Sequence, residues 1–274
     1  MKNLDINSHD LQTFNLISTL ISIINQNNDE DTNSILASFF LNHLEELDTL
    51  SVYDIADKCY TSRSSVQRFI KDIGFDSYNN LKNKVHESLR HNRRYHDFYK
   101  TPNFKEAYQN NINKMFEDFD AFYESEHLDY FVNLIHISKR VVFSIAEGSS
   151  VAPFDFQEAL VSLNKTARVI TNGTKSTNLL ESLTEDDLLI TLSMTGNYAL
   201  ATLNDIKNVK ANKVLITLNH SNIFNEVYDK TIYFTNNDSS RDYIQDGLRN
   251  VYTIYGFNYF FDLVLNRYFE KYSD

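Results

Sequence analysis

The chain carries one cysteine, two prolines and six glycines in 274 residues. A single cysteine excludes an internal disulfide framework and any zinc site built from several thiolates. So few prolines and glycines exclude a collagen-like, mucin-like or linker-rich chain. No apolar run approaches the roughly 20 residues that would span a membrane, so no membrane partner is expected. The opening residues, MKNLDINSHD, are polar and acidic. They have no apolar h-region, do not read as a secretory signal, and point to the cytoplasm.

What is present suffices for ordered domains. The composition is 42% hydrophobic and 23% charged, which allows a substantial core and excludes global disorder. The length suits two compact domains of roughly 100–150 residues each. The formal net charge of −11 argues on average against nucleic acid. The average conceals a segment of opposite sign. Lys58 to Arg94 holds nine Lys/Arg and three acids, a net +6, which leaves −17 for the rest of the chain. A local basic patch of this kind is the electrostatic footprint of a DNA-binding surface.

The first 90 residues read as all-helical. Phe14, Ile17, Ile21 and Ile24 step by three and four along one helix face. Thr32 or Asn33 is expected to cap a second helix with Leu36, Phe39, Phe40, His43, Leu44 and Leu47 inward. Ser51 opens a short helix carrying Val52, Ile55, Ala56 and Cys59. A second, from Ser62, carries Val66, Phe69, Ile70 and Ile73, and Gly74 ends it. Asp76 or Ser77 starts a fifth helix with Leu81, Val85 and Leu89 inward.

The two short helices have helix-turn-helix dimensions. On the second, the outward face presents Ser64, Arg68 and Lys71, flanked by Arg63, Ser65 and Gln67. Such a face suits a major groove, where Arg pairs with guanine and Gln with adenine, while Ser and Lys reach phosphate. Ser51 and Ser62 at the helix starts, and Lys82 and Lys84 on the following helix, complete the expected DNA-binding set. The same pattern also fits a plain amphipathic pair with a solvated face; the local charge favours DNA.

The stretch LSVYDIADKCYTSRSSVQRFIKDIGFDSYNNLKNKV resembles the N-terminal domain of RpiR/MurR transcriptional regulators. Ile55, Ala56, Ser62, Ser65, Val66, Arg68, Phe69, Gly74, Phe75, Tyr78, Leu81 and Lys82 fall in register with that family's pattern. The spacing from the Arg-Phe pair to the Gly-Phe pair is what a generic helix pair lacks. The resemblance implies a DNA-binding regulator.

The polar, aromatic segment His91–Pro102 reads as a linker, and a long helical stretch follows from about Phe104 to His136. The pattern then changes. Five β-rich runs, Arg140–Ala146, Ala167–Thr171, Asp187–Ser193, Lys213–Asn219 and Lys230–Thr235, alternate with helical segments, which implies βαβ units and a parallel sheet. The expected architecture is therefore an all-α helix-turn-helix domain (1–90), a linker (91–103) and an α/β domain with a five-stranded parallel sheet flanked by helices (104–274).

In a flavodoxin-like strand order the ligand crevice lies between strands one and three, beyond their carboxyl ends. Glu147, Gly148, Ser149 and Ser150 follow strand one. Ser193, Met194, Thr195, Gly196 and Asn197 follow strand three. Glycine permits close backbone approach, hydroxyls donate to anionic oxygens, and a helix N-terminus adds free N–H groups. These nine residues are the expected ligand site; ordinary strand–helix turns with capping serines are the alternative.

This half resembles a SIS (sugar isomerase) domain. Gly148 and Ser150 match that family's first loop, Ser193, Thr195 and Gly196 its second, and KVLITLNHS its next strand. The resemblance implies a phosphorylated-sugar site in which Ser149, Ser150, Ser193 and Thr195 hold the phosphate. The chain departs from the pattern at Ala146, in place of the first glycine, at Glu147, a carboxylate beside the expected phosphate, and at Tyr198, in place of the terminal Thr. A carboxylate at close range repels phosphate unless it points to sugar hydroxyls or an amine. Three readings follow: a sugar-phosphate-sensing regulator, a regulator with a degenerate sugar site, or a SIS-type isomerase with Glu147 as its base. The first is preferred, with no catalytic residue, metal or cofactor.

Cys59 reads as a small core residue. His86, His91 and His96 are too widely turned to share a metal. Asp186 and Asp187 read as a turn before strand three. The last thirty residues form an aromatic-rich helix or helix pair, Ile244–Tyr272, which must be buried and whose excess apolar surface suits a subunit interface. A homodimer or homotetramer would set two recognition helices on a palindromic double-stranded operator.

Overall fold

The computed structural model describes residues 16–146, 149–171, 177–235 and 251–272. The chain divides into two compact units, the first ending at His96 and the second beginning at Asp97.

The first unit is helical: α1 (Leu16–Gln26), α2 (Thr32–Asn42), α3 (Val52–Lys58), α4 (Arg63–Asp72) and α5 (Tyr78–Tyr99). The buried edge of α1 is Leu16 and Leu20, an i, i+4 pair. The expected isoleucine stripe is met in part: Ile17 and Ile24 pack against the core, but Ile21 is 44% exposed, because the Leu16–Leu20 line is what faces the core directly. Phe14 lies outside the described residues. Asp31, and neither Thr32 nor Asn33, caps α2. Its extended backbone lets the carboxylate accept from Asn33 N at 2.8 Å and Ser34 N at 3.4 Å.

Ser51 and Asp54 close a capping box on α3. Ser51 N donates to Asp54 Oδ2 at 2.8 Å, and Asp54 N to Ser51 Oγ at 3.2 Å. Ser62 caps α4 by accepting from Ser65 N at 3.1 Å. Val66, Phe69, Ile70 and Ile73 of that segment join Leu36, Phe40, Ile55, Ala56 and Cys59 in one core. Each large side chain buried there stabilises the unit by about 1.5–3 kcal/mol. Burial pushes the Cys59 thiol up, away from the reactive thiolate. Helix α5 continues to Tyr99, so the expected linker is helical over its first part and irregular only from residue 100 to 103.

The second unit begins with α6 (Phe104–Tyr123) and α7 (Glu126–Ile137), two helices where the sequence suggests one stretch; residues 124 and 125 break it. Five parallel strands follow: β1 (Val141–Ile145), β2 (Ala167–Ile170), β3 (Leu188–Leu192), β4 (Asn212–Thr217) and β5 (Lys230–Tyr233). Their order is β2-β1-β3-β4-β5. Between them run α8 (Ala152–Ser162), α9 (Thr177–Glu181), α10 (Asn197–Ile206) and a 3-10 turn (Asn222–Glu226); α11 (Phe257–Tyr272) ends the described chain.

Strand residues are buried on both faces, as a sheet covered on both sides requires. Val141, Phe143, Ile145, Ile190 and Ile216 point towards α6, α7, α8 and α11. Val142, Leu189 and Leu215 point towards α9, α10 and the 3-10 turn. Phe257, Phe260, Phe261, Val264 and Tyr268 of α11 enter the first of these cores, so most of that helix's apolar surface is used within its own unit. The expected start of the terminal helix at Ile244 lies outside the described residues.

Candidate functional sites

In the first unit the helix periodicity of α4 separates core from surface. Its apolar side is buried; Arg63, Ser64, Gln67, Arg68 and Lys71 are all exposed, and Ser65 is partly so. Ser62 Oγ lies 2.7 Å from Ser64 Oγ and 2.9 Å from Ser65 Oγ, a hydroxyl cluster at the start of the helix. The Arg63 guanidinium sits 4.1 Å from the centroid of the Tyr53 ring, a cation–π pairing that limits its rotamers. Ser51 is exposed but engaged in its capping box.

Of the two lysines on α5, Lys82 is turned inward on its own unit. Its ammonium donates to Asp48 O at 2.8 Å and lies 4.7 Å over the Tyr78 ring. Lys84 is partly exposed. The surface that geometry assembles is thus centred on α4, with one of the three ammonium donors of Lys82 used by Asp48 O.

In the second unit β1 pairs with β2 on one side and β3 on the other, so the chain reverses its direction of winding between β1 and β3. The two expected loops leave neighbouring strands at this point. Glu147 and Gly148 lie outside the described residues. Ser149 and Ser150 are partly exposed, and Ser150 Oγ accepts from Ala152 N at 3.2 Å at the start of α8.

The loop after β3 is described in full. Ser193 is buried, and its Oγ accepts from Ala199 N at 3.1 Å, inside the first turn of α10. Met194 is buried as well. Thr195 is partly exposed and Asn197 exposed. Asn197 N reaches Thr195 Oγ1 only at 3.5 Å. Gly196 has φ +79, a left-handed conformation in which a Cβ is strained. The groups turned to solvent are therefore Ser149, Ser150, Thr195 and Asn197, whereas Ser193 and Met194 build the loop from below.

Three residues outside the expected set hold this loop. Asn219, two residues after β4, donates from Nδ2 to Thr195 O at 2.9 Å, and its Oδ1 accepts from Ser221 N at 2.9 Å. A Cβ on Gly196 would lie 2.6 Å from Asn219 Nδ2, so glycine is what lets the two loops touch. Tyr198 is buried, and its hydroxyl is 2.9 Å from Ser144 Oγ on β1. That contact joins the start of α10 to the strand beneath the first loop. Burial pushes the Tyr198 phenol up to about 12, so it stays neutral. The available signal for Asn219 was strand order: β4 neighbours β3, so a polar residue just past β4 stands beside the loop. Ser144 carried no such signal, because a serine inside an apolar run reads as neutral.

One ion pair of this unit serves the fold, away from the loops. Arg140 grips Asp187 with two bonds, Nε to Oδ1 at 3.0 Å and Nη2 to Oδ2 at 2.6 Å, and Thr184 N adds a third at 2.7 Å. The guanidinium and these amide and hydroxyl donors hold the Asp187 carboxyl at about 2. The pair sits at the start of β1 and β3, the opposite end from the loops. No group of three or more His, Cys, Asp or Glu suited to a metal ion occurs among the described residues. No helix among them is long and apolar enough to cross a membrane.

Residues 18–92 match the family model described as the helix-turn-helix domain, rpiR family. A search of curated proteins finds no match. Among solved structures, the chain is similar to the Vibrio vulnificus NanR protein complexed with ManNAc-6P, at 15% identity over 94% of this chain and 92% of that one, with a TM-score of 0.47. It is similar to the sugar isomerase domain of an RpiR transcription factor from Sphaerobacter thermophilus, at 16% identity over 61% and 89%, with a TM-score of 0.47. A hypothetical protein from Methanococcus jannaschii, for which a 3-hexulose-6-phosphate isomerase function is inferred, aligns at 20% identity over 60% and 90%, with a TM-score of 0.48.

Proposed function

We propose that the chain, whose residues 18–92 match the helix-turn-helix domain of the rpiR family, is a transcriptional regulator whose α/β unit senses a phosphorylated sugar. The observation that carries the reading is the surface of α4, where Arg63, Ser64, Gln67, Arg68 and Lys71 stand exposed over a buried apolar side in a segment of strong net positive charge. Arg68 and Gln67 read base edges; Ser62, Ser64 and Lys71 fix register on phosphate. The protein acts as a homo-oligomer on a two-fold operator, in the cytoplasm. The effector sits at the β1/β3 switch point, with Ser149, Ser150, Thr195 and Asn197 facing its phosphate. It alters DNA affinity only to the extent that it prefers one of two arrangements of the DNA-binding units. The role is binding, not catalysis.

A mobility-shift assay with DNA upstream of the chain's own and neighbouring genes tests the first half. Arg68→Ala is expected to weaken operator binding about 5- to 150-fold, the worth of one bidentate base contact. Binding indifferent both to sequence and to that substitution sinks the reading. Thermal shift with a panel of hexose and amino-sugar phosphates tests the second half. A ligand at 100 times its Kd stabilises by about 2.7 kcal/mol.

One observation favours the degenerate-site reading: Ser193, one of the four expected phosphate ligands, is buried beneath the loop as a cap of the first turn of α10. No stabilisation across the panel would select it. Turnover of a sugar phosphate that is lost in Glu147→Gln would instead select the isomerase.

A further inference from the structure

Three helices of the described chain end in the same way. After α3, α4 and α8 the chain turns through a residue of positive φ: Tyr60 at +50, Gly74 at +92 and Asn164 at +55. In each case two backbone bonds close the turn. Tyr60 N donates to Asp57 O and Thr61 N to Ala56 O; Gly74 N donates to Lys71 O and Phe75 N to Ile70 O; Asn164 N donates to Val161 O and Lys165 N to Leu160 O. This is the left-handed cap, and glycine and asparagine are the residues that take it with least strain. Tyrosine is the exception.

Packing does not compensate it. The Tyr60 side chain is 99% exposed, so no contact within the unit repays the strained backbone. The residue sits in the turn that leads into α4, two positions before its cap Ser62. Nearby, Tyr53 is 60% exposed and carries the Arg63 guanidinium. A bulky residue held in a strained conformation with its side chain wholly in solvent points to a partner outside the molecule.

We propose that Tyr60 is a DNA-backbone contact, its hydroxyl donating to a phosphate beside the groove that α4 reads. The proposal rests on the DNA-binding reading above and adds to it a residue outside the recognition face. A phenol suits the role because it donates without charge and fixes register, while basic side chains supply the attraction.

The test uses the full-length chain and fluorescence anisotropy with labelled mixed-sequence duplexes at low salt, since a phosphate contact needs no operator. Tyr60→Phe keeps the ring and the backbone and removes only the hydroxyl. It is expected to weaken binding about 5- to 20-fold, equally on duplexes of different sequence, with Tm unchanged. Tyr60→Gly relieves the backbone and removes the contact. It should raise Tm by about 4 °C while weakening binding at least as much. A residue with a purely structural role would move stability and affinity in the same direction.

Wild-type affinity in Tyr60→Phe, a loss that depends on duplex sequence, or a lower Tm in Tyr60→Gly overturns the proposal. If the wild-type chain binds and Tyr60→Phe binds equally well, only this proposal fails. If the wild-type chain binds no duplex, the DNA-binding reading falls too.

Discussion

Replacing Gly196 by alanine is expected to destabilise the α/β unit, and the size of the effect follows from two features. The residue has φ +79, where an L side chain costs about 1–2 kcal/mol. The new Cβ would also lie 2.6 Å from Asn219 Nδ2 and 2.8 Å from Asn219 Cβ. The second of these cannot be relieved by rotating a side chain, so overpacking adds about 1–3 kcal/mol. Alanine narrows the unfolded ensemble and returns about 0.4–1 kcal/mol. The net loss is about 1–4.5 kcal/mol, or roughly 2–18 °C in Tm for a unit of this size.

Scanning calorimetry of wild type, Gly196→Ala, Asn219→Gly and the double variant completes a cycle. With residue 219 reduced to glycine the clash is gone, and Gly196→Ala should cost only the backbone term, about 1 kcal/mol. The expected coupling is therefore about 1–3 kcal/mol. Equal cost in both backgrounds would refute the close approach of the two loops. A cost below about 0.5 kcal/mol in the wild-type background would refute the left-handed backbone itself.

Three further outcomes are expected. Asp187 has a folded-state carboxyl held at about 2 by Arg140, below the ordinary value near 3.9, so its contribution is complete above about pH 4 and is lost as pH falls towards 2. Asp187→Asn should flatten the acid limb of a stability–pH profile over that window; an unchanged limb would contradict the pairing. Ser62→Ala removes the cap of α4 and should cost about 1 kcal/mol, read as a fall in the midpoint of chemical unfolding of the helical unit; no fall would mean the cap is replaced by water. Arg68→Ala, on the exposed side of α4, should leave that midpoint within about 0.5 kcal/mol of wild type while operator affinity drops, which separates its role in binding from one in folding.

Much of the helical unit could be read before its structure. The serines at 51 and 62 both cap helices, because a hydroxyl followed by apolar residues at three- and four-residue spacing has few other uses. Gly74 takes the left-handed turn it was expected to take. All five strands occur, and in the order that places β1 beside β3, since strand–helix alternation with right-handed crossovers leaves few alternatives. The misreadings are equally physical. Ile21 looks like core because its spacing is right, but an amphipathic helix with Leu16 and Leu20 as well has two apolar edges, and only packing against the core selects one. Asp31 does not stand out as the cap in the sequence, because Thr32 and Asn33 are equally good capping types one and two residues on.

Composition, spacing and local charge by themselves determined that a basic helix pair precedes an acidic parallel-sheet unit, because helix and strand periodicities and capping chemistry are properties of neighbouring residues. Tertiary structure alone decided which polar groups face solvent. Ser193 is a buried cap and Lys82 is bound to Asp48 because contacts across 34 residues or from the far end of a helix's first turn are invisible to local pattern. The Asn219–Gly196 contact and the Tyr198–Ser144 bond likewise join segments that only the parallel sheet brings side by side.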